Sequence, residues 1–192
     1  MKFAKHLLAL AVLGAALSAQ AASDINTVSA ANQTATANLA FRITIPRIIF
    51  LAVGTSSLFA DLATVDRVDF SLTPAQVATP GNVLGVSTGG TVNARVFGNG
   101  GAINFSANGT LNGLAPLVAG PANVAWSEIA PTSVGTLAHP AIGNGVAGAN
   151  SPLAAVGGVV NQTAVWTFNY ANASAIAAGE YNGTVVYTAV MP

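Results

Sequence analysis

NLAFRITIPRIIFLAVG, residues 38–54, is the densest apolar signal in the chain after its first 21 residues. In its first half Leu39, Phe41, Ile43 and Ile45 alternate with Asn38, Ala40, Arg42 and Thr44. That period of two is expected of a strand with one buried face. Pro46 interrupts the pattern, because proline has no N–H for a ladder and sits at strand edges, ends or bulges. Beyond it, residues 48–53 are apolar on both faces, which predicts a strand buried on both sides. The stretch reads as an alternating arm, a proline hinge and a buried strand. What it leaves open is whether the arm pairs within its own domain or with a neighbour's.

Residues 1–21 read as a secretory signal peptide. Lys2 and Lys5 form a positive start, residues 7–17 an apolar run, and Ala19-Gln20-Ala21 a cleavage site. The run is about half the roughly 20 residues needed to cross a bilayer, and no later segment is longer. Export with cleavage, and no membrane span afterwards, is the expectation. Residues 22–33 (ASDINTVSAANQ) are small and polar without period and predict a flexible tail. Tail and arm together make residues 22–45 one expected unit, with residues 46–192 as the body.

Cleavage would remove both lysines of the chain. The remaining charges are Arg42, Arg47, Arg67 and Arg95 against Asp24, Asp61, Asp66, Asp69, Glu128 and Glu180. This is far below the roughly 25% charged residues of an ordinary soluble domain. Net charge normally holds copies apart, so such a surface is either kept wet by Asn, Thr, Ser and Gly alone or is in large part covered by other copies of itself. Four scattered arginines make no footprint for nucleic acid. The chain has no cysteine, so export serves no disulfide. Without lysine, Lys–Asn isopeptide crosslinks are excluded as well, which leaves packing or assembly as the source of robustness.

Short alternating segments fill the body. Residues 65–72 (VDRVDFSL) place Val68, Phe70 and Leu72 on one face. Residues 91–97 (TVNARVF) and 102–107 (AINFSA) flank Gly98-Asn99-Gly100-Gly101, and Asn-Gly between two alternating runs predicts a hairpin with a type I′ turn. Residues 74–77 (PAQV) predict a small helix capped by Thr73. Residues 109–158 are rich in Gly, Ala, Pro and Asn and predict short strands joined by long loops. In residues 159–170 (VVNQTAVWTFNY), Ala164, Trp166, Phe168 and Tyr170 share a face. Residues 180–190 (EYNGTVVYTAV) set Tyr181, Val185, Tyr187 and Ala189 together. Many short strands with one buried face each predict an all-β, antiparallel sandwich.

Signals for chemistry are sparse. Gly85-Val86-Ser87-Thr88-Gly89 matches the G-x-S-x-G elbow of serine hydrolases, with Glu128 and His139 following in order. The elbow needs a strand before it and a helix after it, whereas residues 89–92 lead into a strand, so no catalytic residue is assigned. His139 is the one histidine left after cleavage, and one histidine without cysteine does not make a zinc site. Asp61, Asp66 and Asp69 lack the D-x-D-x-D-G loop of a calcium site. No metal or cofactor is expected. N-x-S/T sequons at Asn32, Asn108, Asn161, Asn172 and Asn182 follow from an Asn- and Thr-rich composition. Trp166 reads as core, and Trp126 as the better candidate for stacking on a sugar.

The ending AGEYNGTVVYT, residues 178–188, resembles the final strand of archaic, spore-coat-U-like chaperone–usher pilins, written A-G-x-Y-x-x-T-V-x-V-x. That resemblance implies an incomplete immunoglobulin-like sandwich completed by the N-terminal extension of the next subunit. It places the donor positions at Leu39, Phe41, Ile43 and Ile45, with Pro46 where the chain leaves one sandwich for another. It also implies identical subunits as partners, with a periplasmic chaperone and an outer-membrane usher in assembly. A weaker resemblance links the tail to WxL-type surface proteins, with Trp166-Thr167-Phe168 as a loose echo of their signature. The expected function is a structural, non-enzymatic subunit of an extracellular bacterial filament. A monomeric glycan- or cell-wall-binding module is the alternative.

Overall fold

The computed structural model describes residues 23–27, 31, 33–55, 59–60, 65–86, 90–119 and 121–192. The expected signal peptide lies outside them. The chain divides between Ile45 and Pro46 into two units.

In the unit that ends at Ile45, residues 33–45 carry no regular secondary structure. Their apolar side chains face solvent: Leu39 is 52% exposed, Phe41 84%, Ile43 85% and Ile45 74%.

The second unit, Pro46–Pro192, is an all-β sandwich of two packed sheets. Its strands are β1 (Ile49–Val53), β2 (Val83–Leu84), β3 (Thr91–Gly98), β4 (Ile103–Gly109), β5 (Ala115–Pro116), β6 (Ile129–Gly135), β7 (Ile142–Asn144), β8 (Ser151–Leu153), β9 (Val160–Tyr170), β10 (Tyr181–Asn182) and β11 (Val185–Val190). The first sheet runs β1, β3, β9 and β6, with β2 extending the β3 side of β9. The second has β4 at its centre, β11 along one side, and β8 and β7 end to end along the other. All pairs are antiparallel except β4 with β7. β5 and β10 form a separate two-stranded ribbon.

β9 and β4 build the core because their alternation is the most regular. Ala164, Trp166 and Phe168 of β9 and Ala94 and Val96 of β3 meet Ile103 and Phe105 of β4, all buried. Phe105 stacks on Trp166 at 6.2 Å and on Tyr187 at 6.1 Å. A smaller cluster of Val83, Val124 and Tyr170 sits beside Phe70 and Leu72.

Four expectations need correction. Residues 48–53 do not form a strand buried on both sides: among the described residues β1 pairs only with β3, at the edge of its sheet, and it buries only Ala52 fully. Its second apolar face has a different cause, since Phe59 lies over Phe50 at 5.0 Å and over Phe97 at 5.4 Å and covers some of the sheet's outer side. The Gly98–Gly101 segment is not a hairpin turn. β3 and β4 belong to different sheets, so it is a corner. Only Gly101, at φ 117°, has the left-handed backbone there, and Asn99 does not, so the type I′ geometry is missing. Residues 65–72 form no strand, although Val68, Phe70 and Leu72 do pack inward as their alternation predicts. Residues 180–190 hold two strands in two sheets, β10 and β11.

The small helix is present as α1 (Pro74–Ala78), with Thr73 and Gln76 forming a reciprocal capping box.

Candidate strand-acceptor site

Two sheet edges come close together on the second unit. β1 borders the first sheet and β11 the second, and they approach one another. Among the described residues β1 pairs only with β3, and β11 only with β4. Each edge therefore has a side that no described strand covers, the kind of surface to which a further strand adds. The side chains beneath are apolar. Leu51 and Val53 of β1, with Tyr187, Ala189 and Met191 on the β11 side, pack on the main core yet stay only half buried. The inward residues of β4 and β9 are fully buried. The core is thus half covered along these two edges, as it also is at Val92 of β3 and Ile129 of β6, and fully covered at Ile103, Phe105, Trp166 and Phe168.

The main chain entering β1 is fastened where the edges meet. Asn99 Nδ2 donates to the Pro46 carbonyl at 2.7 Å, and Asn99 Oδ1 accepts from the Ile48 N–H at 2.7 Å. The Asn99 N–H donates to the Ile48 carbonyl at 3.3 Å. Arg47 Nη2 donates to the main-chain oxygen of Pro192 at 2.7 Å and to the Gly100 carbonyl at 3.3 Å. The Gly100 N–H meets Met191 Sδ at 3.2 Å. The arm root, the β3–β4 corner and the end of β11 are joined in this way. Sequence reasoning marked Pro46 but missed Asn99, which it spent on a turn.

At its other end, β11 is held by a half-buried histidine. His139 Nε2 and the Tyr187 hydroxyl share a hydrogen bond of 2.8 Å. The imidazole meets the rings of Trp166, Phe168 and Tyr187 edge-on at 4.6, 5.3 and 5.5 Å. Burial lowers the His139 pKa to about 4, against a smaller opposing effect of the Pro140 backbone. Burial likewise pushes the Tyr187 phenol up. Nδ1 is buried and meets no acceptor at hydrogen-bond geometry, which suits a neutral ring. The sequence showed one histidine in a loop, and nothing in its spacing pointed to three aromatic neighbours from β9 and β11.

The remaining candidates take local roles. Trp126 is half buried, its indole lies where side chains at Gly109 and Gly183 would otherwise be, and its Nε1 donates to the Thr110 carbonyl at 2.8 Å. Asp66 accepts from the Thr55 N–H, and Asp69 pairs with Arg67 at 2.6 Å on the surface. Among the described residues no group of acidic or histidine side chains is arranged to hold a metal ion. Ser87 and Asp61 lie outside the described residues. The outer face of the first sheet carries a hollow of about 450 Å³ lined by Phe50, Ala52, Arg95, Val134 and Val165 among others. Arg95 donates there to Asn161 Oδ1 at 3.1 Å.

No family model, curated protein or solved structure matches the chain. Among the described residues no helix is long and apolar enough to cross a membrane.

Proposed function

We propose that this chain is an exported structural subunit of an extracellular filament, in which the arm of one copy adds as a strand to the β1 and β11 edges of the next. The observation that carries this reading is a match of two incomplete halves. The arm shows solvent four apolar side chains at a spacing of two, Leu39, Phe41, Ile43 and Ile45. The sandwich leaves a half-covered apolar row beneath two unpaired edges. Strand addition satisfies both, through main-chain hydrogen bonds and alternate side chains set into the row.

The energies are of the right size. Each such side chain fully buried is worth about 1.5–3 kcal/mol, so four contribute roughly 6–12 kcal/mol before ordering costs. Few charges oppose the approach of copies. The sandwich is then an incomplete immunoglobulin-like domain, as the resemblance of residues 178–188 implies, and a periplasmic chaperone would shield the edges until an outer-membrane usher receives the subunit. The chain acts as a building block, without a catalytic or cofactor role.

The test is to delete residues 22–45 and image the secreted product by negative stain. Filaments of the full mature chain that vanish on deletion support the reading, and filaments that persist unchanged end it.

A second reading, a monomeric glycan- or cell-wall-binding module, is favoured by the hollow on the outer face. Phe50 and Arg95 there make a better contact surface than Trp126, whose ring is engaged with its own backbone. This reading requires a mature protein that remains a single monomeric species and loses glycan binding on Arg95→Ala.

A further inference from the structure

We infer that Asn99 and Arg47 form a tie that carries a pull on the arm past β1 and delivers it directly to the end of β11. The inference rests on the assembly reading, in which the arm is the connector between copies. Its premises, however, are contacts within one sandwich.

A pull on the arm enters the second unit at Pro46. If β1 were held only by its ladder with β3, five residue pairs from Ile49↔Gly98 to Val53↔Ala94, the force would reach that ladder at one end. Ladders loaded from an end open pair by pair, each hydrogen bond meeting the whole force in turn. The arm root is not held that way. Asn99 grips it on both sides of Arg47, accepting from the Ile48 N–H and donating to the Pro46 carbonyl. A side-chain amide is the neutral group that offers both an acceptor and donors at one site. Arg47, between them, reaches the oxygen of Pro192, just past the end of β11. Met191, between β11 and Pro192, accepts from the Gly100 N–H of the same corner.

The force path therefore runs from Pro46 and Arg47 across the corner into Met191 and Pro192 before the first β1 pair is strained. β11, like β1, borders its sheet, and a neighbour's arm would lie along it. Tension arriving through a neighbour's arm and tension leaving through the subunit's own arm would meet at one cluster of hydrogen bonds. The sheet-to-sheet corner explains why the tie exists. A hairpin would have kept Asn99 in a turn within one sheet, whereas a corner places it at the entrance of β1 and beside the end of β11.

Absence of native cysteine permits the direct test. Mature full-length protein carrying Asn38→Cys in the arm and Thr188→Cys on the exposed side of β11 is pulled between the two thiols. Rupture is compared in this background and with Asn99→Ala, Asn99→Asp or Arg47→Ala added. Arg67→Ala, which removes a surface ion pair elsewhere, is the control. Exchange of the Ile48 amide and of β9 amides is followed in parallel.

The tie predicts faster detachment of β1 under load, by roughly fivefold for each hydrogen bond removed. The Ile48 amide should exchange faster in Asn99→Ala, and β9 amides should not change. Asn99→Asp, which keeps the acceptor and loses the donor, should fall between wild type and Asn99→Ala. Rupture unchanged in Asn99→Ala and Arg47→Ala overturns the inference, as does an Ile48 amide unprotected in wild type. Weakened rupture from a mature chain that forms no filaments would uphold the tie while removing the assembly reading.

Discussion

Among the segments of this protein that carry apolar side chains outside any strand, two use them in opposite ways. One is the connection between β6 and β7, where Leu137 and Pro140 are fully buried and His139 is half buried among aromatic rings. The other is the arm, where Leu39, Phe41, Ile43 and Ile45 are exposed. The first segment is held by polar contacts at each step. Trp166 Nε1 donates to the Leu137 carbonyl at 3.0 Å, the His139 N–H donates to Ser133 Oγ at 2.9 Å, and His139 reaches Tyr187. The second has the strict alternation of a strand and no ladder to join. An irregular segment fills a hole shaped for it, whereas a regular one without a partner is suited to a pair of edges.

The largest effect should come from the filled hole. Leu137→Ala removes a side chain with no exposure and should lower the unfolding free energy by about 2–5 kcal/mol, read from the urea midpoint of mature protein. A loss well under that range would mean the connection is a loose cover and the contrast with the arm is false.

Acid should act on the same segment. The His139 pKa lies near 4 in the fold against 6.5 unfolded, so the unfolded state takes the proton first. Stability is fully present above pH 6.5 and falls as the pH drops from there to about 4, by about 3 kcal/mol over the whole window. Trp166, Phe168 and Tyr187, the rings around it, bring no charge that could offset this. Urea midpoints at pH 7 and 4.5, compared with those of His139→Phe, isolate the contribution. An equal drop in both proteins would assign the acid sensitivity to carboxylates.

The arm should show the reverse pattern. Phe41→Ala should leave the stability of dilute monomer within about 0.5 kcal/mol, as surface substitutions do. The same change should weaken assembly by about 1.5–3 kcal/mol per contact, seen as a raised concentration threshold for filaments. A Phe41→Ala monomer as destabilised as the Leu137→Ala protein would show that the arm packs at home.

What could be read from the residues followed from how local its cause was. The inward face of β9 was legible because Ala164, Trp166, Phe168 and Tyr170 hold their alternation through an unbroken ladder. The Thr73 cap was legible because it depends on residues three apart. The corner at Asn99 was not, since the residues that suit a tight turn also suit a bend between sheets, and the choice is made by partners at Pro46 and Ile48. Nor was the edge position of β1, because a second apolar face arises either from a covering layer or from one ring such as Phe59. His139 was hidden for the same reason. Its environment is assembled from residues more than 25 positions away, and a lone histidine has no pattern.

The corner also bears on how the chain folds. Because β3 turns into the opposite sheet, β4 cannot pair with the strand just made. Its long ladder partner is β11, which comes late in the chain, and its other neighbours, β7 and β8, also follow after intervening loops. Contacts of such sequence separation carry loop-closure entropy before they return any stability, and they make folding slow. β4, the apolar centre of its sheet, must therefore wait without a stable ladder until β11 emerges. A newly made chain passes through a long interval with β4 bordered only by the three-residue ladders of β7 and β8, and its other side is closed only when residues 185–190 arrive.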